Sequence, residues 1–235
     1  MINNKHPWLF YTRINIGSNG ILYNTPEVQE YFNKYGHLTS FTISIDGNKE
    51  LHDSCRIDLN GDGTYDRAMA AVYSYREKYG INPATKMTIA PENVSYLTEA
   101  VISLINEQYT EIILNCVYEN VWNEKYATIL YNQLKILADY IIENNLYNKI
   151  YIRLFDEELY SPMQENDNDN WCGGVGDLTV AVNYAGNLYP CVRYMEHSLN
   201  HKQEPIITGT IYDGYECSDC CKCNIQKITG ITRRS

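Results

Sequence analysis

The stretch SFTISIDGNKELHDSCR, residues 40–56, decides how the rest of the chain is read. In its first half Phe41, Ile43 and Ile45 alternate with Thr42, Ser44 and Asp46. A period of two with one apolar side predicts a β-strand. Asp46-Gly47 is a turn signal that stops the strand, and a polar loop carrying Lys49, His52, Asp53 and Arg56 is expected to follow. The strand thus brings Ser44, Asp46 and several charged side chains to its C-terminal end. In parallel α/β folds, ligands bind at that end of the strands.

Outward from this stretch, strands alternate with helices. Residues 11–16 read as a short strand ending at Gly17-Ser18-Asn19-Gly20, and Pro26 opens a helix to about Tyr35 with Val28, Tyr31 and Phe32 on one face. On the other side, a helix is expected over 65–79, with Met69, Val72, Tyr73 and Arg76 at helical spacing. A strand over 86–90 follows, then, after Pro91, a helix carrying Val94, Leu97, Val101, Leu104 and Ile105. A strand over 111–117, a long helix over 124–143 and a fifth strand over 149–155 complete the series. Strands separated by helices of this length predict a parallel sheet with right-handed crossovers. The run Ile112-Ile113-Leu114 suits strands covered on both faces. Five units fall short of an eight-fold barrel, which takes roughly 250 residues, so an open sheet or a partial barrel is expected.

Composition shifts at residues 161–170, SPMQENDNDN, which read as an exposed acidic linker. Beyond it residues 178–184 alternate, Ala185-Gly186-Asn187 makes a turn, and residues 188–192 return, which predicts a β-hairpin.

With 44% hydrophobic and 20% charged residues the chain is a folded globular protein. A net charge of −10 argues against nucleic acid or an anionic membrane surface as partner. No apolar run approaches the ~18 residues of a membrane span, and the N-terminal residues show no signal-peptide pattern, so a cytoplasmic location is expected. The cysteines are unevenly placed. Cys55 and Cys116 lie early and read as structural, whereas Cys172, Cys191, Cys217, Cys220, Cys221 and Cys223 crowd the end. In a reducing compartment clustered thiols more often bind metal than pair with one another. The segment 216–223, ECSDCCKC, is too dense in cysteine for a core, and its thiols suit zinc as readily as iron–sulfur. Asp58-Leu59-Asn60-Gly61-Asp62-Gly63 matches the opening of a calcium loop, but Met69 stands at the twelfth position where glutamate belongs. A glycine-rich turn is expected there.

Taken together, SNG (18–20), SIDGNKELHDSCR (44–56), KMTIAPENV (86–94) and WCGG followed by G-x4-C (171–191) resemble the radical S-adenosylmethionine (AdoMet) peptide maturases with a C-terminal SPASM domain. The resemblance runs from about residue 14 to 191. It implies an α/β fold: a partial (β/α) barrel of parallel strands over 1–160, the linker 161–170, and a small cysteine-bearing β-hairpin domain over 171–235. It also implies an enzyme that modifies a ribosomally made peptide through a 5′-deoxyadenosyl radical, with AdoMet and [4Fe–4S] clusters as cofactors and a precursor peptide as partner. The chain departs from the family in having no CxxxCxxC motif, and the late cysteine pattern of a SPASM domain is incomplete after Cys223. Both departures read as truncation at the two ends, and the chain alone is expected not to cleave AdoMet reductively, because the iron that would chelate it lacks its thiolates.

By resemblance, Ser44 and Asp46 meet AdoMet, and Ser18 and Asn19 line the same cavity. Arg56 is a candidate for a carboxylate, or for a local ion pair with Asp53. Asn115 ends a later strand and joins the cofactor-binding set, with Glu92 and Asn93 as weaker cavity candidates. His52 reads as a packing histidine or a proton carrier. Cys172 and Cys191 are candidate ligands of an auxiliary SPASM-type cluster, with Cys217, Cys220, Cys221 and Cys223 as further metal ligands. Two other readings compete: a non-catalytic, metal-containing peptide-binding module, and a zinc or iron–sulfur protein unrelated to AdoMet.

Overall fold

A computed structural model describes residues 14–117, 121–156, 180–196 and 204–215. The chain divides into two compact units, Met1–Ser161 and Pro162–Ser235.

In the first unit five strands lie parallel in the order of the chain: β1 (Ile14–Ser18), β2 (Thr39–Ser44), β3 (Ala84–Ile89), β4 (Glu111–Cys116) and β5 (Tyr151–Ile152). The intervening helices are α1 (Pro26–Tyr35), α2 (Lys49–Cys55), α3 (Tyr65–Tyr79), α4 (Leu97–Asn106) and α5 (Glu124–Glu143). An order that never reverses, joined by crossovers of one hand, sets every helix on the same side of the sheet. This is the wall of a partial (β/α) barrel.

Burial follows from that winding. Phe41, Ile43, Met87, Ile89, Ile112, Leu114 and Ile152 on the helix side are all under 5% exposed. The residues between them, Thr42, Ser44, Lys86, Thr88, Ile113 and Asn115, are half-buried or exposed and mostly polar. Coverage of both faces, expected from Ile112-Ile113-Leu114, is therefore not found among the described residues. Ile113 belongs to the open side.

Local sequence sets the helix ends. Pro26 occupies the first turn of α1. The Asn123 side chain accepts the Tyr126 N–H at 3.1 Å and caps α5, and Gly80, at φ +78°, ends α3 in the left-handed conformation. Helix α4 buries Leu97, Val101 and Leu104, as its spacing predicts, together with Ala100. Helix α3 is rotated from the expected face. It buries Ala68, Met69, Ala71 and Val72 and leaves Tyr73 44% exposed. The small alanines let the helix backbone approach the sheet. Tyr23, Phe32 and Phe41 form an aromatic cluster beside it, with centroids 4.9–5.2 Å apart.

Two expectations need correction here. The polar loop after Gly47 is the helix α2, whose cap Asn48 accepts the Leu51 N–H at 2.9 Å. The fifth strand is two residues long, because Arg153–Phe155 turns into a 3-10 helix.

The second unit contains a four-stranded antiparallel sheet: β6 (Ala181–Val182), β7 (Asn187–Tyr189), β8 (Gly209–Thr210) and β9 (Gly214–Tyr215). The first two strands form the expected hairpin, in shorter form. Asn183 shapes its turn by accepting the Ala185 and Asn187 N–H groups. The second hairpin was not anticipated, although Asp213-Gly214 is a turn signal. No helix is long and apolar enough to cross a membrane among the described residues.

Candidate functional site

Parallel strands bring all their C-terminal ends to one edge, so Ser18, Ser44, Ile89 and Cys116 end together. Register extends this to rows on the open face. Ser44 lies beside Lys86, and Lys86 beside Ile113. Thr88 lies beside Asn115 in the next row towards the edge. Register partners in a parallel sheet share a face, so Ser44, Lys86, Thr88 and Asn115 form one polar patch.

Asp46 lies just past β2 and turns inward. Its side chain is 2% exposed. One oxygen accepts the Thr88 N–H at 2.9 Å, the ladder bond that β2 no longer offers after Ser44. Arg56 grips the same carboxylate through both Nε and Nη2, and the Cys55 thiol donates to it at 3.5 Å. Thus Arg56 pairs with Asp46 and not with Asp53, which instead pairs with Lys49 at 3.2 Å and accepts the Tyr65 N–H at 2.8 Å. The fork geometry and the backbone donor satisfy a charge that would otherwise be costly to bury.

His52, 1% exposed, sits behind this pair on α2. Its Nδ1 accepts the Asp46 N–H at 3.3 Å. The Thr64 hydroxyl donates its proton to the Arg56 carbonyl at 2.9 Å, so at 3.1 Å from His52 Nε2 it acts as acceptor. These partners assign the neutral ring with its proton on Nε2. Burial pushes the ring's pKa down, against the pull of the Asp46 charge. His52 is a packing residue that holds the β2–α2 turn.

Gly47 allows the turn. It has φ +109°, and a Cβ there would lie 2.7 Å from the Ala100 Cβ of α4. The Ser18 and Asn19 side chains accept the Gly20 and Ile21 N–H groups, which folds the turn after β1. Asn93 accepts the Ala90 N–H and donates to the Thr88 carbonyl, closing the end of β3. Asp58 accepts the Asn60 and Asp62 N–H groups and pairs with Arg67, so the glycine-rich segment is a turn closed by its own carboxylate. Of the sequence-predicted residues, Ser44 and Asn115 stand on the open face. Asp46 and Arg56 face each other, and Ser18 and Asn19 serve their own turn. Sequence reasoning missed Lys86 and Thr88, which the strand alternation at residues 84–89 could have placed on the side of Ser44.

Of the candidate metal ligands only Cys191 falls among the described residues, half-buried just after β7; Cys172, Cys217, Cys220, Cys221 and Cys223 lie outside them. No group of three or more His, Cys, Asp or Glu side chains is arranged to hold a metal among the described residues. Burial raises the pKa of the Cys55 and Cys116 thiols, with the Asp46 charge adding to the shift at Cys55. Cys55 and Cys116 belong to no such group, so among the described residues they form no cluster site.

No family model matches the sequence, and no curated protein does. Solved structures do match. Native anSMEcpe with bound AdoMet superposes with a TM-score of 0.61 at 19% identity, over 86% of this chain and 55% of that one. His6-tagged anSMEcpe with bound AdoMet gives 0.60 at 20% identity, over 86% and 52%. Native anSMEcpe with bound AdoMet and Kp18Cys peptide gives 0.59 at 19%, over 86% and 55%. The chain spans about half the length of these proteins. Likeness at this identity establishes a shared fold.

Proposed function

We propose that this chain forms the AdoMet-binding wall of a radical AdoMet protein of the SPASM type, whose partner is a peptide. The observation that carries the reading is the singly wound sheet with a polar row on its open face, in the fold of a protein solved with AdoMet and with peptide. AdoMet presents an ammonium, a carboxylate and ribose hydroxyls. Ser44, Thr88 and Asn115 offer short hydroxyl and amide groups at the edge where such a ligand would lie. Asp46 and Arg56 act in this reading as positioning residues, since their charges neutralise each other beneath the edge. When bound to a cluster, AdoMet supplies a 5′-deoxyadenosyl radical. The CxxxCxxC motif that holds such a cluster is not in these 235 residues, so its thiolates must come from outside this sequence for the reaction to run. The chain's own residues bind and orient.

Calorimetric titration of the 235-residue chain with AdoMet tests the reading. Saturable binding that weakens in Ser44→Ala supports it. Absence of binding, with peptide affinity retained, gives the chain to the second reading, a non-catalytic peptide-binding module. The missing motif is what favours that second reading.

A further inference from the structure

We infer that Lys86 and Arg153 form a carboxylate-binding pair on the open face of the parallel sheet, and that the peptide recognised there carries an acidic side chain. The inference rests on the reading of that face as the ligand face and adds the class of peptide to it.

Lys86 is exposed in the middle of β3, on the polar side. Its register partner across β4 is Ile113, and Ile112 pairs with Ile152 of β5. Ile152 is extended, at φ −120° and ψ 114°, so the next residue, Arg153, alternates to the side of Ile113. Lys86 and Ile113 are register partners, and Arg153, which opens the 3-10 turn just past the last paired residue of β5, follows on the same side. Two strand spacings put the Cα atoms of the two cations roughly 10 Å apart, within reach of a single group for two long side chains converging over Ile113. Neither has a salt bridge or side-chain hydrogen bond among the described residues, and the Arg153 Nε is buried with no acceptor. The Nε has no exposed surface, so a carboxylate would meet this guanidinium through its outer nitrogens, by the planar geometry that arginine offers. Glu111, the acidic residue in the row below, pairs with neither.

The carboxylate is assigned to a peptide because Arg153 lies three strands from Ser44, roughly 14 Å across the sheet, and on the strand beside Asn115 it follows the row of Ile113, two residues further from the edge than the Thr88–Asn115 row. The overall charge sharpens the expectation. A chain of net charge −10 should by its general field retain basic peptides, so a preference for acidic ones requires a local device.

The test is selection from a random peptide display library on the full 235-residue chain, alongside AdoMet titration of the same protein. Retained peptides should be enriched roughly tenfold in Asp or Glu at one position, the ratio of a charge-assisted bond. That enrichment should fall in Lys86→Gln and in Arg153→Gln, and partly recover in Arg153→Lys. Lys86 is exposed, so its variant folds whatever Arg153→Gln does. No acidic enrichment, or enrichment that survives Lys86→Gln, overturns the inference. So does loss of AdoMet affinity in these variants without acidic enrichment, which would assign the pair to AdoMet's own carboxylate. Intact AdoMet binding with no acidic preference would sink this inference and leave the proposed function standing.

Discussion

Arg56 closes over the buried carboxylate of Asp46, ten residues earlier in the chain, with two guanidinium nitrogens on its two oxygens. The pair ties the C-terminal end of β2 to the end of α2, and the Thr88 N–H ties both to β3.

Removing one partner of this pair leaves a buried charge alone. Arg56→Ala should cost about 3–5 kcal/mol, read as a lower urea midpoint at constant slope. The double variant Asp46→Asn/Arg56→Ala should be more stable than Arg56→Ala, because no uncompensated charge remains. Equal stability of Arg56→Ala and wild type would show that the pair is solvated and contributes nothing.

His52 gives the fold an acid limit. Its ring is neutral when folded, and its pKa lies below the ordinary value of about 6.5. The unfolded chain therefore binds a proton that the folded chain does not. Stability from this group is complete above about pH 6.5 and falls as pH drops towards the depressed folded value, below which the loss levels off. Urea midpoints at pH 8 and pH 5.5 should differ in wild type, and by less in His52→Gln. An equal difference in both proteins would assign the acid sensitivity to other groups.

Gly47 is required twice, by its positive φ and by Ala100. Gly47→Ala should cost about 2–4 kcal/mol from backbone strain and overpacking together. Combining it with Ala100→Gly should cost less than the sum of the two single changes, since the second relieves the contact that the first creates. Strict additivity would assign the cost to backbone strain and to the Ala100 Cα, 2.9 Å from the added Cβ, which Ala100→Gly leaves in place.

Ser44 and Asn115 stand half-buried on the open face, and their side chains make no hydrogen bond among the described residues. Ser44→Ala or Asn115→Ala should leave the urea midpoint within about 0.5 kcal/mol of wild type. Each should weaken AdoMet binding about fivefold to tenfold, the value of one hydrogen bond. A loss of stability without loss of binding would make them structural.

The amino-acid sequence by itself determined the elements. Helices Pro26–Tyr35, Tyr65–Tyr79 and Glu124–Glu143 lie where periodicity and end signals put them, because proline at a first turn, a glycine stop and apolar spacing act within a few residues. It also placed Ser44 and Asp46 at a strand end. The helix from Lys49 was within its reach too, through Asn48 as cap and Glu50 in the first turn, but the density of charge suggested a loop. Tertiary structure decided what those residues do. Whether Ile113 is covered, whether Arg56 meets Asp46 or Asp53, and whether Lys86 shares a row with Ser44 depend on strand order, register and the side to which the helices cross. Those are set by burial of the whole apolar face at once, and no local run of residues carries that information.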